Sequence, residues 1–130
     1  MNRFKMIKKE LQPLFKAYKG RIVFAYLFGT AASHDYSPLS DIDLAFYVDS
    51  QEDAFDLKLA LYTDCTRLLK RNDIDVIILN NLRNLILADE IVTNGTVIFD
   101  SNPEVRLDYE VRIHHQALDF MHQRKMIIGV

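Results

Sequence analysis

The sequence predicts a single α+β domain, in which a small mixed sheet of about four strands is flanked by helices. Four short runs rich in β-branched and aromatic residues alternate with segments whose apolar residues recur at helical spacing. The first two runs are joined by a polar segment without helical pattern, which suits antiparallel or mixed pairing better than a parallel crossover. The chain shows no internal repeat and no linker, so we expect one domain over residues 1–130.

The chain begins with a predicted helix over residues 4–18, where apolar residues recur three or four positions apart. Residues 19–20, Lys-Gly, are typical of a helix end. Two runs of β-branched and aromatic residues follow, at 21–28 and 42–48. Their composition and length predict two buried strands.

A second helix is predicted over residues 52–70. Asp49 and Ser50 have the residue types of an N-cap, and Glu52 and Asp53 fall in the first turn, where negative charge favours the helix dipole. The helix has a wide apolar face. Its members are Phe55, Leu59, Leu61, Tyr62, Cys65, Leu68 and Leu69.

The remaining pattern predicts a third strand over residues 74–79, a short helix over 82–93 and a fourth strand over 96–99. A last helix begins at Pro103, because proline suits the first helical position. One apolar stripe of this helix is expected to pack on the sheet. It consists of Val105, Tyr109, Ile113, Ala117, Phe120 and Met121.

The last helix carries more apolar residues than one core is expected to cover. Either the excess docks a partner, or the helix simply packs on the sheet. His115 and His122 lie seven residues apart on one face of it. Since no cysteine or acidic cluster accompanies them, we interpret both as solvated or partner-facing side chains rather than metal ligands.

Composition and charge exclude several function classes. The chain is 49% hydrophobic and 26% charged, typical of a soluble globular protein, and its net charge of −2 gives no indication of general nucleic-acid binding. The N-terminal segment lacks the apolar stretch of a signal peptide, and no run reaches the roughly 20 apolar residues that span a membrane. The single cysteine, Cys65, allows no internal disulfide, so we expect a cytoplasmic protein.

Three carboxylates form the strongest chemical signal. Asp41 and Asp43 stand two positions apart at the start of the second strand, so their side chains share a face. Asp75 lies in the third strand between apolar neighbours, whereas Asp73 at its entrance is interpreted as a solvated turn residue. If the two strands are adjacent, the three acids converge and need a cation between them. Such oxygen ligands suit Mg²⁺ in a two-metal phosphoryl-transfer centre, although Asp41 and Asp43 alone could be a solvated strand end.

Gly29-Thr30 follows the first strand directly. A glycine lets the backbone approach a ligand closely, and successive N–H groups at such a turn can hold phosphate. The threonine hydroxyl adds one donor. Alone the pair would indicate an ordinary turn, but here it lies beside the strand that carries Asp41 and Asp43.

Together these features resemble a known signature. Gly29-Thr30, ten further residues and Asp41-Ile42-Asp43 resemble the GS-x10-DxD motif of the DNA polymerase β-like nucleotidyltransferases. Residues 40–44 match its SDIDL core, and Asp75 in IDVIIL matches the third acid. The resemblance covers nearly the whole chain. The chain is similar to the small minimal nucleotidyltransferases, the MNT antitoxins of HEPN/MNT toxin–antitoxin modules.

The resemblance implies a polymerase β-like nucleotidyltransferase fold and Mg²⁺-dependent transfer of a nucleoside monophosphate, expected to be AMP from ATP, to a hydroxyl. Two Mg²⁺ ions and ATP are the implied cofactor and substrate. The implied site residues are Asp41, Asp43 and Asp75 as catalytic residues and metal ligands, and Gly29, Thr30 and Ser40 as nucleotide ligands.

The resemblance also implies a partner. MNT antitoxins neutralise HEPN-domain RNase toxins, in characterised pairs by AMPylating a tyrosine. The expected partners are therefore a HEPN toxin and a nucleoside triphosphate, with no membrane and no direct nucleic-acid contact. Two alternatives stay open. The protein could modify a small molecule such as an antibiotic, or it could be a catalytically weak MNT module that neutralises its partner by binding alone.

The chain departs from the family pattern within the loop that follows the first strand. Thr30 replaces the usual serine, and Ala31 and Ser33 stand where the family often has the arginines of GSRARG. His34 stands where a glycine is common. Because an arginine there could contact phosphate or a partner, residues 31–40 are where reduced activity or partner contacts are expected first.

Overall fold

A computed structural model gives the architecture. It describes residues 3–29, 41–49, 51 and 53–128, with side chains to residue 125, so the predicted ligands Thr30 and Ser40 lie outside the described residues. The elements in chain order are α1 (Arg3–Glu10), α2 (Gln12–Ala17), β1 (Ile22–Phe28), β2 (Ile42–Val48), α3 (Ala54–Leu69), β3 (Ile74–Ile78), a 3₁₀ turn (Leu79–Asn81), α4 (Leu85–Asn94), β4 (Thr96–Asp100) and α5 (Pro103–Ile128).

The four strands form one mixed sheet in the order β3–β2–β1–β4. β1 pairs antiparallel with both β2 and β4, whereas β2 and β3 are parallel. The parallel pair needs a crossover, and α3 supplies it. The predicted mixed α+β fold is therefore confirmed. A consequence of these directions is that β1 ends where β2 and β3 begin, at one edge of the sheet.

The N-terminal segment is two short helices rather than the predicted single helix. α1 and α2 meet at Leu11, and Pro13 lies in the first turn of α2. Proline lacks a backbone N–H and its ring clashes with the carbonyl four residues earlier, so a continuous helix is broken there. The predicted apolar face nevertheless survives the break. Its buried members are Ile7, Leu11, Leu14, Phe15 and Tyr18.

The start of α3 also differs from the prediction. The N-cap is Asp53, whose side chain accepts hydrogen bonds from the backbone N–H groups of Phe55 and Asp56 at 3.0 and 3.1 Å. Asp49 instead accepts the N–H of Gln51 at 2.9 Å, within the turn that precedes the helix. The predicted cap at Asp49 was therefore wrong. Asp49 and Asp53 can both act as N-caps, and the chain forms a turn after Asp49, so the helix begins only after Asp53.

Apolar side chains pack on both faces of the sheet. One face is covered by α1, α2 and α3, and it receives the even-numbered residues of β2, such as Leu44 and Phe46. The other face is covered by α4 and α5, and it receives Phe24 and Tyr26 of β1 and Ala45 of β2. The fold thus has three layers, with the sheet in the middle.

Two predicted apolar faces, those of α3 and α5, are only partly buried. On α5, Phe120 and Met121 were expected to pack on the sheet but are each 39% exposed. On α3 the buried residues include Leu57 and Leu61, whereas Phe55 is 70% exposed and Leu59 is 54% exposed. A helix with apolar residues on more than one side presents one of them to the sheet, and periodicity alone does not decide which. Among the helices of the described part of the chain, none has the length and apolar character needed to cross a bilayer.

Candidate active site

The register of the sheet brings two of the predicted acids together. Asp43 of β2 and Asp75 of β3 are direct partners in the parallel ladder. Neighbouring strands lie about 4.8 Å apart, so two side chains in register on one face are adjacent. The ladder extends to the entrance of β3, where the backbone N–H of Ile42 donates to the carbonyl of Asp73 at 3.1 Å.

Alternation along the strands decides which face the acids occupy. Ile42 and Leu44 are buried on the side of α1, α2 and α3, so Asp43 between them points to the α4 and α5 side. Asp43 is half-buried there, and Asp75 is exposed. Asp41 shares the parity of Asp43 and is exposed at the strand entrance. The acids thus stand at an open rim of the sheet.

Gly29 closes the site from the β1 side. It follows Phe28, whose ladder partner on β2 is Asp43. Its φ of +75° lies in the left-handed region, and a Cβ built on it would overlap the Oδ2 carboxylate oxygen of Asp43. Glycine is therefore required at this position for two reasons, the backbone conformation and the close approach of a carboxylate.

The electrostatic environment of Asp43 is unfavourable to its negative charge. Burial raises the pKa of this carboxyl above its ordinary value, and the charges of Asp75 and Asp41 raise it further, in that order. Desolvation and like charges both disfavour the ionised form. A cation at this rim would reverse the repulsion, and it would lower the pKa of Asp43 again.

The donor set fits a magnesium ion bound through few protein ligands. Within the described residues, no group of three or more histidine, cysteine, aspartate or glutamate side chains is placed to hold a metal ion. Asp43 and Asp75 instead form an adjacent pair. Mg²⁺ is usually bound by one or two carboxylates, with waters and substrate phosphates completing its octahedron. An open pair is therefore sufficient for a metal that arrives with a nucleotide.

Asp73 has a partner that sequence reasoning missed. Its carboxylate accepts from the guanidinium of Arg71 through both oxygens, with a distance of 2.7 Å from Nε to Oδ1. This hydrogen bonding holds the pKa of Asp73 below its ordinary value. Asp73 was interpreted as a solvated turn residue, and the structure adds a partner for it. The two side chains form an ion pair beside the entrance of β3.

A second missed residue lies at the opposite end of β2 and β3. The side-chain amide of Asn80 accepts the backbone N–H of Val48 at 2.9 Å and donates to the carbonyl of Val48 at 2.7 Å. The amide thus replaces a strand backbone and closes the ladder of β2. The only sequence signal was a polar amide directly after a buried strand.

A family model and solved structures both match the chain. The model of the polymerase beta nucleotidyltransferase family matches residues 9–104. No curated protein is similar enough to count as a match. Among solved structures, a toxin–antitoxin with AMP-PNP matches with a TM-score of 0.78 at 20% identity, covering 94% of this chain and 95% of the other.

Other similar structures have the same character. One is the MntA–HepT toxin–antitoxin, with a TM-score of 0.73, 19% identity and 96% of each chain covered. Another is the tri-AMPylated HEPN toxin of Shewanella oneidensis in complex with its MNT antitoxin, with a TM-score of 0.73, 19% identity and coverages of 97% and 96%. At these identities the likeness shows the fold. The family match spans well over half of the chain, so this protein belongs to the polymerase beta nucleotidyltransferase family.

Proposed function

We propose that the protein is an Mg²⁺-dependent adenylyltransferase and that it acts as the antitoxin of a HEPN toxin by AMPylating a tyrosine of that partner. The observation that carries the proposal is the Asp43–Asp75 pair, in register on adjacent strands and closed on one side by Gly29. A half-buried carboxylate held against a second one is costly for the fold. A cation bound with a substrate offsets that cost.

The proposed site divides its tasks among the residues already placed. Asp43 and Asp75 would hold the metal, with Asp41 at the strand entrance as the third acid. Bound Mg²⁺ supplies charge neutralisation at the phosphates and a lowered pKa for the attacking hydroxyl. Because the carboxylate of Asp75 is exposed, an acceptor hydroxyl of another molecule can approach it. We therefore assign to Asp75 the role of accepting the proton of that hydroxyl.

The reaction balances as a displacement at the α-phosphorus of ATP. The acceptor oxygen forms a new bond to that phosphorus, and the bond to the oxygen that bridges to the β-phosphate breaks. Pyrophosphate leaves, and the hydroxyl proton passes to a carboxylate. Gly29, Thr30 and Ser40 are the proposed contacts of the triphosphate. This role is supported by the position of Gly29 at the exit of β1, directly beside Asp43.

Similar structures support the antitoxin role. They are toxin–antitoxin assemblies, and one of them contains a HEPN toxin that carries three AMP groups. Both chains are covered almost completely in these matches, so the similar antitoxins have the size of this single domain.

Label transfer tests the proposal. The protein is incubated with Mg²⁺, the proposed HEPN partner and ATP labelled either at the α- or at the γ-phosphate. We expect label on the HEPN protein from α-labelled ATP only, and its loss when the acceptor tyrosine is replaced by phenylalanine. Asp43→Asn and Asp75→Asn should abolish transfer, whereas Glu90→Gln, a change of an exposed acid on α4, should not.

The same experiment separates the alternatives. A tight complex without label, in which RNase activity is nevertheless suppressed, would assign neutralisation by binding alone. Label that persists in Asp43→Asn would contradict the site. Transfer to an aminoglycoside or a similar hydroxylated small molecule, without transfer to the HEPN protein, would assign the small-molecule alternative.

A further inference from the structure

The solvent side of α5 carries a second apolar stripe. We call it the outer stripe, and it consists of Leu107, Val111, Leu118 and Met121, which are 53%, 57%, 48% and 39% exposed. With His114 between them, the positions advance by four, three, four and three residues. This is the a/d spacing of a helix that packs along a second helix.

The outer stripe is separate from the face that packs on the sheet. The buried residues of α5 are Tyr109, Ile113 and Ala117. At about 100° per residue, their mean direction lies about a third of a turn from the centre of the outer stripe. The sheet and α4 cover the side of α5 that carries Tyr109 and Ile113. The outer stripe extends beyond that side, and a second apolar side of a helix is expected to have a packing partner of its own.

The exposed C-terminal turns of α5 also indicate a packing partner. Among the side chains that the structure describes, Ala117 is the last buried one of α5 and all of those from Leu118 to Lys125 are exposed, yet the helix continues to Ile128. An isolated helix of this length is marginal in water, so a packing partner would stabilise these exposed turns. Two of their exposed apolar residues, Leu118 and Met121, belong to the outer stripe, whereas Phe120 lies on another side of the helix.

We propose that the outer stripe is a self-association surface, on which α5 of a second copy of this chain packs antiparallel. The two halves of the stripe have complementary charges. Glu104 and Asp108 flank its N-terminal half, and the cationic side chain of Lys125 lies along its C-terminal half beside the imidazole of His122. In an antiparallel pair each acidic half meets a basic half, whereas a parallel pair would set like charges opposite each other.

The two halves also match in support and in need. The N-terminal half, with Leu107 and Val111, lies on a part of α5 that packs on the sheet. Its apolar side chains face solvent on a well-supported helix. The C-terminal half is the exposed end of the helix. In a dimer with a two-fold axis across α5, the C-terminal half of each copy packs on the N-terminal half of the other, as in an isologous interface.

His114, in the middle of the stripe, does not prevent this packing. Its Nδ1 lies 3.0 Å from Oδ1 of Asp89 on α4, so one polar ring atom already has a partner within the chain. Ile86 lies on α4 one turn before Asp89, and it is 41% exposed. It adds to the apolar surface of the layer formed by α4 and α5. A single polar residue at such a position is also a known way to set the register of paired helices.

Sedimentation equilibrium of the full chain over a range of concentrations tests the proposal. We expect a monomer–dimer equilibrium, and Leu118→Glu should weaken the dimer at least about tenfold, since a charge replaces an apolar residue of the seam. Phe55→Glu is the matched control. It places the same charge at an even more exposed apolar residue, on α3 outside the stripe, and should leave the dimer unchanged.

Charge redesign identifies the occupant. A variant with Glu104→Lys and Asp108→Lys has a uniformly basic stripe, and a variant with His122→Glu and Lys125→Glu has a uniformly acidic one. Each alone should be monomeric, and an equimolar mixture should form the heterodimer. Orientation is read from Asp108→Cys, which should not cross-link under oxidation because an antiparallel pair keeps the two positions apart.

Three results would overturn the inference. The first is a wild-type chain that stays monomeric at about 100 µM, a concentration at which even a weak interface is populated. The second is efficient cross-linking of Asp108→Cys, which would make the pair parallel. The third is a dimer that Phe55→Glu breaks and Leu118→Glu leaves intact. If Leu118→Glu instead abolishes binding of the HEPN protein to a monomeric chain, the stripe belongs to that partner.

Discussion

Gly29 and Asp43 show how tightly the backbone of one strand is placed against the side chain of the next. The carboxylate of Asp43 occupies the space in which any other residue at position 29 would hold its Cβ. The close approach limits where the carboxylate of Asp43 can lie. Gly29 thus shapes the acid on the neighbouring strand, in addition to its proposed part in holding a phosphate.

Replacing Gly29 separates the two reasons for glycine. Gly29→Ala should destabilise the fold by about 2–3 kcal/mol, since it adds a clash with Asp43 to the strain of a positive φ. Gly20→Ala is the control, because Gly20 has a φ of +82° but no atom within 4 Å of a built Cβ. It should cost about 1 kcal/mol, the conformational part alone. Urea denaturation measures both, and equal costs would contradict the contact.

Removing the charge of Asp43 should stabilise the protein while it abolishes transfer. The pKa of Asp43 is raised in the folded state, so the folded protein binds the proton more tightly than the unfolded chain. Stability from this group is therefore present at low pH and is lost as pH rises through the folded pKa. Asp43→Asn should melt above the wild type at pH 7 in EDTA, by an amount that shrinks towards pH 3.

Magnesium should act in the opposite direction on the same pair. Mg²⁺ with a non-hydrolysable ATP analogue should raise the Tm of the wild type and of Glu90→Gln, and it should leave Asp43→Asn nearly unchanged. If Asp43→Asn melts below the wild type in EDTA, the carboxylate of Asp43 is not destabilised by its neighbours. If this variant gains the full stabilisation by Mg²⁺, Asp43 is not a metal ligand.

At the scale of elements, polar contacts decide how the layers are held together. α5 is fixed to the sheet by Arg106, which donates to Asp100 of β4 at 2.6 Å and to Glu110 on its own helix at 3.1 Å. Tyr26 of β1 donates its hydroxyl to the same Glu110. The helix is thus connected to two adjacent strands through one network, and its apolar face, including Tyr109, packs beneath it.

Two buried tyrosines give opposite predictions. The Tyr26 hydroxyl has a carboxylate acceptor, whereas within the described residues the hydroxyl of Tyr109 has no hydrogen-bond partner and is fully buried. Burial raises the pKa of Tyr109 to about 12. Tyr26→Phe should therefore destabilise the fold by about 1–2 kcal/mol, and Tyr109→Phe should be neutral or stabilising. Thermal denaturation of the two variants checks this, and equal losses would contradict the assignment.

Asn80 joins β3 to β2 beyond the last residue of the ladder. Asn80→Ala leaves the backbone N–H and C=O of Val48 without their two hydrogen bonds and should cost about 1–2 kcal/mol. Asn81→Ala, at the neighbouring exposed position, is the control and should stay within about 0.5 kcal/mol of the wild type. If both changes are neutral, water replaces the amide and the bridge is not needed.

At the scale of the whole molecule, the sheet edge that carries the acids and the outer stripe of α5 belong to different surfaces. The acids stand at the entrances of β2 and β3, and the outer stripe faces away from the sheet. Chemistry and assembly are therefore expected to be separable.

Leu118→Glu tests that separation. It should weaken self-association and leave the rate of the proposed AMP transfer per chain unchanged, since the outer stripe lies on the exposed side of α5 and the acids lie at the entrances of β2 and β3. The rate is measured with the HEPN protein in excess, above and below the dimer concentration range. A rate that falls in proportion to the dimer would show that the second copy contributes to the site.

The sequence by itself determined the strands, the α+β class and the placement of three acids at strand entrances. Alternation over 42–48 and 74–78 is a local property of the chain, and it places Asp41, Asp43 and Asp75 at strand entrances whatever surrounds them. Helix ends were less well determined, because Asp49 and Asp53 have equal capping chemistry and only the path of the chain distinguishes them.

Only the tertiary structure decided which residues meet. Register put Asp43 directly beside Asp75 and against Gly29, and residues far apart in the chain carry no local signal of such pairing. The same holds for α3 and α5, whose apolar residues lie on more than one side. Hydrophobic periodicity records that a side is apolar, but only packing determines whether the sheet covers it or leaves it for another molecule.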